Sequence, residues 1–248
     1  MRNVNLIPLA GDGLRFLKAG YSTPKPLIEI DGLPMIIRSA MSLPDADLWI
    51  FICKKQHILD SKIDDLLKEY FPSSLIISVD YLTDGQASTC LLAKKYLAPS
   101  DILTIGACDN KVDFDMHNYQ KKIKSTDALV WTFRNNRAAA RNPDMYGWAN
   151  LNKDGRISDI SCKSPISSNP INDHALVGAF SFSRAEYFLT YANKIIEKNR
   201  RINNEFYLDI VIDECACSGL NVKPFEVLDY TCWGTPEDLE SYLKSPIN

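Results

Sequence analysis

An apolar run that leads directly into a glycine-rich turn constrains the fold of this chain more than any other stretch. Residues 5–9 form the run, and the turn that follows consists of Ala10, Gly11, Asp12 and Gly13. Such a run is typical of a buried strand, and the glycines allow the backbone to present its N–H groups to an anion. Arg15 can bind two phosphate oxygens, and Lys25, between two prolines, adds a point charge. The pattern indicates a phosphate-binding loop, although Gly-x-Gly alone also occurs in ordinary turns.

The composition bounds the class of protein. The chain has 248 residues, of which 46% are hydrophobic and 24% are charged, so we expect one compact α/β domain over residues 1–248. A net charge of -3 provides no broad field for nucleic acid. No apolar run has transmembrane length and the N-terminus does not resemble a signal peptide, so we expect a cytoplasmic protein without membrane contact. Seven scattered cysteines lack zinc-site spacing and are expected to be reduced thiols.

Alternating strand and helix patterns in the first half predict a doubly wound sheet. Residues 48–53 are continuously apolar, which is typical of a parallel strand buried on both faces. Helical periodicity over 55–70 and an apolar run over 75–79 follow. We also expect a helix over 33–41 with Pro34 at its first position, and another from about residue 83 to Tyr96.

The second half predicts a more antiparallel region. Strands are expected at 128–133 and 174–182, with a hairpin between them whose turn is Asp154-Gly155. Helices are expected over 184–199 and from residue 203 onward. Between the first strand and the hairpin lies a polar loop whose arginines fit either a solvated lid or an anion site, and these are Arg134, Arg137 and Arg141.

An apolar strand over 101–107 ends close to Asp109. A carboxylate there would lie at the carboxyl edge of the sheet, where folds of this kind bind ligands. Mg²⁺ is commonly held by one or two carboxylates together with substrate phosphates, so Asp109 is a candidate metal ligand; the alternative is an ordinary loop or cap residue. Asp113-x-Asp115 has the spacing of a glycosyltransferase metal motif, but it is more typical of a helix start.

The order of these motifs resembles the sugar-phosphate nucleotidylyltransferases over nearly the whole chain, from Leu6 to Leu239. The resemblance rests on the glycine loop, Arg15, the segment Pro24-Lys25-Pro26-Leu27, Asp109, and a closing strand followed by Gly234-Thr235. The short loop is similar to that of a subgroup found in bacterial capsule and surface-polysaccharide pathways. The resemblance implies a Rossmann-like mixed sheet with a smaller antiparallel acceptor-side region, in which residues 1–125 bind the nucleotide and 126–248 the acceptor.

The activity that the resemblance implies is Mg²⁺-dependent transfer of a nucleotidyl group from a nucleoside triphosphate to a small phosphorylated acceptor, with release of pyrophosphate. Arg15, Lys25 and Asp109 would carry the chemistry. The implied nucleotide-binding residues are Leu9, Ala10, Gly11, Asp12, Gly13, Lys25, Gly85, Gln86 and Asp109. The implied acceptor-binding residues are Gly147, Lys163, Gly178, Asn204 and Glu205.

The chain departs from the family pattern at three positions. Leu14 replaces a hydroxyl residue beside the phosphates, Cys162 replaces a Glu that faces the product, and Cys232 replaces the second metal-binding Asp. A thiol is a poor Mg²⁺ ligand, so we select Asp229 as the second metal ligand. The alternatives are Glu205, Asp209, or a metal ion held by one protein carboxylate together with phosphates and water.

Loss of the Glu places an ordinary hexose phosphate in doubt as the acceptor. Four aromatic residues would fit a non-sugar phosphate such as phosphocholine or a phosphoglutamine-like amide, normally activated with CTP. They are Tyr146, Trp148, Tyr207 and Trp233. Aromatic residues are more often part of a core, so a sugar phosphate stays beside this alternative.

Three other interpretations stay open. Missing family carboxylates are compatible with a catalytically degenerate nucleotide-binding regulatory module of the same fold. A dinucleotide-dependent oxidoreductase would require a third glycine that is absent, and a glycosyltransferase would require the Asp113 motif. The oligomeric state is open, and a homo-oligomer is compatible with the sequence.

Overall fold

The computed structural model describes residues 1–136, 139 and 142–244, and all later statements refer to these. The strands are β1 Asn3–Leu9, β2 Glu29–Ile30, β3 Leu33–Pro34, β4 Leu48–Lys54, β5 Ser74–Val79, β6 Ile102–Ile105, β7 Asn110–Asp113, β8 Ala128–Phe133, β9 Gly147–Leu151, β10 Ile157–Cys162, β11 His174–Phe182, β12 Val222–Glu226 and β13 Asp229–Cys232. The helices are α1 Leu14–Lys18, α2 Met35–Met41, α3 Lys55–Ser61, α4 Ile63–Tyr70, α5 Gln86–Leu91, α6 Met116–Ile123, α7 Ala185–Glu197, α8 Leu208–Cys217 and α9 Pro236–Leu243.

Nine strands form one mixed sheet. Its order is β10-β9-β11-β6-β1-β4-β5, and β8 pairs with both β11 and β12. Strand β1 runs parallel to β4 and β6, and β4 runs parallel to β5. Strand β11 runs antiparallel to β6, β8 and β9, and β9 forms an antiparallel hairpin with β10. The predicted Rossmann-like mixed sheet with an antiparallel side is therefore confirmed.

The central strands are buried on both faces, as their continuous apolar sequences predict. Leu6 and Ile50 contribute to the core on one face, where α5, α7 and α8 pack. Ile7 and Phe51 contribute to the core on the other face, beneath α2 and α4. All four side chains are inaccessible to solvent. Helices covering both faces make the sheet doubly wound.

The predicted helix over 55–70 is wrong in one respect, because it consists of two helices, α3 and α4. Lys62 separates them in a left-handed conformation, with φ 49° and ψ 41°. Asp64 and Asp65 lie in the first turn of α4, where a carboxylate interacts favourably with the helix dipole. The apolar periodicity continues through the break, so the pattern alone does not show it.

Other helices are also shorter than predicted. Helix α2 begins at Met35, because Pro34 belongs to the short strand β3. Helix α5 ends at Leu91, well before Tyr96. The predicted helix from residue 203 begins only at Leu208. No helix in 1–136, 139 and 142–244 has the length and apolarity needed to cross a membrane.

Several local predictions are confirmed. The hairpin of β9 and β10 is present, and Gly155 in its turn has φ 70°. Thr235 caps α9 by accepting a hydrogen bond from the Asp238 N–H at 3.1 Å, and Pro236 opens the helix. Asp115 caps α6 by accepting from the Asn118 N–H at 3.0 Å, so it starts a helix as expected.

A second, two-stranded sheet of β7 and β13 holds the end of β6 in place. Asn110, at the start of β7, donates its side-chain N–H to the Val177 carbonyl at 2.9 Å. Its backbone N–H donates to Ser39 Oγ at 3.0 Å. Both bonds are buried, so they fix the residue that precedes Asn110 in the chain, which is Asp109.

Helices α7 and α8 are joined by a buried carboxylate. Glu214 accepts from Lys198 at 2.8 Å, from Lys194 at 2.9 Å and from Arg200 at 3.2 Å, while its side chain is only 7% exposed. The bonds from Lys198 and Lys194 lower the pKa of the Glu214 carboxyl from 4.5 to about 2.

We expect Glu214→Gln to lower the free energy of unfolding by about 2 kcal/mol at pH 7, because charged partners lose a buried acceptor. The pKa of Glu214 is lower in the folded state, so its contribution is present above pH 4.5 and disappears as the pH falls towards 2. Urea unfolding between pH 7 and pH 3 measures this, with exposed Glu197→Gln as the control. A difference between Glu214→Gln and wild type that is constant with pH would contradict the assignment.

Candidate active site

A cleft of about 620 Å³ opens beyond the carboxyl end of β6 and beside the middle of β11. Its walls come from loops and strand ends of both halves of the chain, including α1, β9, β11 and β13. Six residues predicted from the sequence line it. They are Arg15, Gln86, Asp109, Gly147, Lys163 and Gly178.

Lys25 and Asp109 form an ion pair at this cleft. Lys25 Nζ lies 2.5 Å from Asp109 Oδ2 and donates to the Gly234 carbonyl at 3.1 Å. Its ammonium lies 5.2 Å from the centre of the Phe16 ring. Burial lowers the pKa of Lys25, but the attraction of Asp109 outweighs burial, and the pKa lies above its ordinary value. Lys25 is therefore charged at neutral pH.

Arg15 lines the same cleft from the first turn of α1 and is exposed. Within the part of the chain that the structure describes, its guanidinium has no hydrogen-bond or ion-pair partner. Gly13, the residue before α1, has φ 61° and forms the N-cap of this helix. A β-carbon on Gly13 would lie 3.3 Å from Lys25 Cβ. The glycine thus allows Lys25 to pass close to the loop, and the unpaired Arg15 is available to a ligand.

The loop before Gly13 lies beside the cleft rather than in its lining, as far as the described residues show. Leu9 is buried in the core, so its side chain is closed to a ligand. Asp12 forms an ion pair with Lys54, which ties the loop to the end of β4. Ala10 is partly buried, and Gly11 has open space where a side chain would stand. Only backbone groups of this loop can therefore serve a phosphate, apart from Arg15.

Gly85 has a structural role of its own. Its φ is 114°, and a β-carbon would lie 2.7 Å from the Phe206 nitrogen. Phe206 donates its N–H to the Asp84 carbonyl at 2.8 Å and accepts from the Ala87 N–H at 2.9 Å. The glycine allows two backbone segments to meet, and it leaves Gln86 at the start of α5 in the cleft.

The structure does not bring Asn204 and Glu205 into the cleft. Ile202 and Glu205 exchange two backbone hydrogen bonds of 3.0 Å across a tight turn. Asn203 and Asn204 have φ 49° and 65°, as the two central residues of a type I′ turn require. Asn204 and Glu205 are exposed. Turn geometry therefore accounts for these residues.

The side of the cleft formed by the second half of the chain contains Lys163, whose backbone N–H donates to the Tyr146 carbonyl at 3.0 Å. Its ammonium lies 4.8 Å from the centre of the Tyr207 ring. Gly178 interrupts the pairing of β8 and β11 with φ 86° and exposes backbone to the cleft.

The suggested aromatic cage is not assembled. Trp148 and Trp233 are completely buried in the core, while Tyr146 and Tyr207 line the cleft. The two tryptophans are therefore core residues, and a large aromatic residue in the sequence does not by itself indicate a binding site.

The predicted arginine loop is described only in part. Arg134 donates to both carboxylate oxygens of Glu226, at 2.8 and 2.7 Å, so its charge is paired. Arg137 and Arg141 lie outside the described residues.

Cys232 occupies the position beside Asp109 where the family pattern has a carboxylate. The hydroxyls of Tyr146 and Tyr230 and the Gly234 N–H donate to its sulfur. Burial, together with the charges of Asp109 and Asp238, raises the pKa of the Cys232 thiol to about 11. The thiol is therefore neutral at pH 7 and does not suit Mg²⁺.

The donor set for a metal ion is small. Asp229 is exposed and pairs with Asp113 at the opposite end of the β7–β13 ladder from Cys232, so the structure does not bring it to Asp109. Asp238 lines the cleft and lies 3.6 Å from the Cys232 sulfur. Within 1–136, 139 and 142–244, no three His, Cys, Asp or Glu residues form a metal-binding group. Asp109 fits the pattern of a Mg²⁺ bound by a carboxylate and substrate phosphates.

Three solved structures share this fold over nearly the whole chain. The nucleoside-diphosphate-sugar pyrophosphorylase from Vibrio cholerae RC9 is 20% identical, with TM-score 0.79 over 97% of this chain and 100% of its own. The inositol-1-phosphate CTP transferase from T. maritima is 15% identical, with TM-score 0.73 over 98% and 93%. The UDP-glucose pyrophosphorylase from Acinetobacter baumanii is 17% identical, with TM-score 0.70 over 97% and 92%. No protein-family model matches the chain, and no curated protein matches it significantly.

This chain has the nucleotidyltransferase fold. The fold implied by the sequence resemblance is thereby confirmed, from the first strand to the closing helix α9.

Asp209, suggested by the sequence as an alternative metal ligand, also lines the cleft of this nucleotidyltransferase fold. Asp209 lies in the first turn of α8 and accepts a hydrogen bond from the Cys162 thiol. Burial raises the pKa of its carboxyl. Its position near Cys162 depends on how α8 packs on β10, which no local pattern shows.

A β-carbon on Gly147 would lie 2.5 Å from Asp209 Oδ2 and 3.0 Å from Leu176 Cδ2. We therefore expect Gly147→Ala to lower the free energy of unfolding by about 1–3 kcal/mol. In an Asp209→Ala background the same change should cost less than half as much, because the closest clash is gone. Urea unfolding of the four proteins measures the coupling, with Gly11→Ala, which meets open space, as the control. Additive effects of the two substitutions would show that the two residues are not in contact.

Proposed function

We propose that this chain is a nucleotidyltransferase that condenses a nucleoside triphosphate with a small phosphorylated metabolite and releases pyrophosphate. The observation that carries the proposal is the combination of charges at one cleft: an unpaired Arg15, and Lys25 held against Asp109. Two cations there suit a triphosphate, and one carboxylate suits the metal ion that accompanies it.

The chemistry needs positioning more than acid–base catalysis. An oxygen of the acceptor phosphate attacks the α-phosphorus, the bond from that phosphorus to the oxygen bridging to the β-phosphorus breaks, and pyrophosphate leaves with the bonding electrons. The acceptor phosphate is ionised near neutral pH, so no general base is required. Arg15 would hold the outer phosphates with the backbone of the glycine loop, and Lys25 would lie between the α-phosphate and the incoming phosphate.

Asp109 would hold Mg²⁺, and Asp238, which lies beside Cys232, is a further carboxylate in the lining of the cleft. The bound ion would withdraw charge from the phosphates. The backbone N–H of Trp233 donates to the backbone carbonyl of Asp109 at 2.8 Å. This bond would keep Asp109 in place whether or not the ion is bound. Asp229 lies at the far end of β13 from Asp109, so its placement does not support the metal role proposed from the sequence.

Residues 1–125 would bind the nucleotide and residues 126–248 the acceptor, within one domain. The solved relatives are described as acting on nucleoside-diphosphate sugars or on inositol 1-phosphate with CTP. We propose a sugar phosphate or a non-sugar phosphate as acceptor here, CTP as a donor, and a place in capsule or surface-polysaccharide biosynthesis. Support for the last point is the short glycine loop before Arg15.

A nucleotide-binding module without turnover is the second candidate. The observation that favours it is the replacement of two family carboxylates by Cys162 and Cys232, whose thiols are both neutral because their pKa values are raised, to about 12 and about 11. Such a module would bind the triphosphate through Arg15 and Lys25 and release no pyrophosphate.

The test is Mg²⁺-dependent pyrophosphate release from ATP, CTP, GTP, UTP and dTTP, each with glucose 1-phosphate, myo-inositol 1-phosphate or phosphocholine. We expect release with at least one pair. Lys25→Ala and Asp109→Asn should each lower kcat/KM by on the order of 100-fold, since each removes a preorganised charge at the reacting phosphates. Arg15→Ala should raise the KM for the nucleotide by about tenfold.

Matched controls separate these effects from general damage. Lys18→Ala removes an exposed cation from α1 outside the cleft lining, and Asp113→Asn removes an exposed carboxylate from β7. Both should keep kcat/KM within about twofold, because neither faces the phosphates. Triphosphate binding without pyrophosphate release would favour the module.

A further inference from the structure

Asp209 is a carboxyl group that lines the cleft and forms no ion pair of 4 Å or less with any described residue. It belongs to the first turn of α8, two residues after Tyr207 in the chain, and both residues line the cleft. The missing side chain of Gly147 makes room for Asp209 Oδ2, because any β-carbon there would come within 2.5 Å. The backbone of β9 is therefore shaped to admit this carboxyl group.

The hydrogen-bonding capacity of Asp209 is only partly used. Its bonds within the described chain are from the Cys162 thiol, a weak donor, and from a backbone N–H. A carboxylate has about four acceptor positions, so acceptor capacity is left over for a ligand in the cleft. Buried polar groups with spare capacity cost free energy in the unliganded protein, which a ligand with hydroxyl groups would recover.

Lys163 restricts what that ligand can be. Its ammonium lies close enough to Asp209 to lower the pKa of the carboxyl, and it covers the face of the Tyr207 ring at 4.8 Å. A quaternary ammonium group would meet a like charge there and an aromatic face that is already occupied. Neutral hydroxyl groups meet neither obstacle, and they can donate to Asp209.

We propose that Asp209 is the specificity-determining carboxyl group for the acceptor, and that it selects a hydroxyl-bearing phosphate such as a sugar or polyol phosphate over phosphocholine. The proposal deepens the function proposed above and rests on it for the identity of the cleft. The carboxyl group that contacts the acceptor would thus come from helix α8, beside the neutral thiol of Cys162 at the end of β10.

The raised pKa of Asp209 agrees with this assignment. Burial is its largest cause, and the Cys162 thiol and the charge of Lys163 act in the opposite direction. Both the ionised and the protonated carboxyl can still accept a hydrogen bond from a hydroxyl group.

The experiment measures binding separately from turnover. Calorimetric titrations of the full chain with glucose 1-phosphate, myo-inositol 1-phosphate and phosphocholine would use wild type, Asp209→Ala and Asp209→Asn. The control is Asp154→Asn, an exposed carboxylate in the β9–β10 turn. We expect wild type to prefer a hydroxylated phosphate, Asp209→Ala to weaken its binding by about tenfold or more, and Asp209→Asn to weaken it less. The KM for the nucleotide should stay within about twofold.

Three results would overturn the assignment: a wild-type protein that binds no hydroxylated phosphate, one that prefers phosphocholine, or an Asp209→Asn and Asp209→Ala pair that both bind like wild type. Failure of the proposed function has a different signature. If the hydroxylated phosphate binds through Asp209 but no triphosphate gives pyrophosphate, the proposed nucleotidyl transfer is wrong and the role of Asp209 in binding still holds. Pyrophosphate release with an unchanged acceptor KM in Asp209→Ala would remove only that role.

Discussion

The ion pair between Lys25 and Asp109 is the interaction on which the cleft depends. It joins two residues 84 positions apart in the chain, one from the segment after α1 and one from the end of β6. Partial burial removes water from both groups, and their mutual attraction compensates, so the lysine stays charged inside the cleft. The opposite charges of this pair cancel, whereas the Arg15 guanidinium in the same cleft has no ion-pair partner among the described residues.

Two carboxyl groups of this cleft come from the first turns of helices and lie beside cysteines of the strands. Cys162 on β10 and Cys232 on β13 are neutral thiols, and each contacts a carboxyl group from the first turn of a helix. These are Asp209 on α8 and Asp238 on α9. The first turn favours a carboxylate because the helix dipole is positive there. Each neutral thiol at the cleft therefore has an acidic group from a helix beside it.

The fold could be predicted from the sequence because its signals are local. Continuous apolar runs marked the central strands, and an Asp-Gly turn marked the hairpin. The residues proposed to bind phosphate, Arg15, Lys25 and Asp109, also rest on local signals, and their role stays a prediction. No local signal points to Asp209, since its contact with Gly147 joins distant segments. Asn204 lies outside the cleft lining, and its sequence is explained by the type I′ turn that the Asn pair forms.

A crystal structure of this chain with CTP and Mg²⁺ would test the central claim most directly. We predict triphosphate oxygens within hydrogen-bonding distance of both the Arg15 guanidinium and Lys25 Nζ, with Asp109 facing the metal ion. Lys25 should then share its hydrogen bonds between Asp109 and phosphate. A nucleotide bound elsewhere, or one bound in the cleft while Lys25 contacts only Asp109 and Gly234 as it does here, would contradict the account.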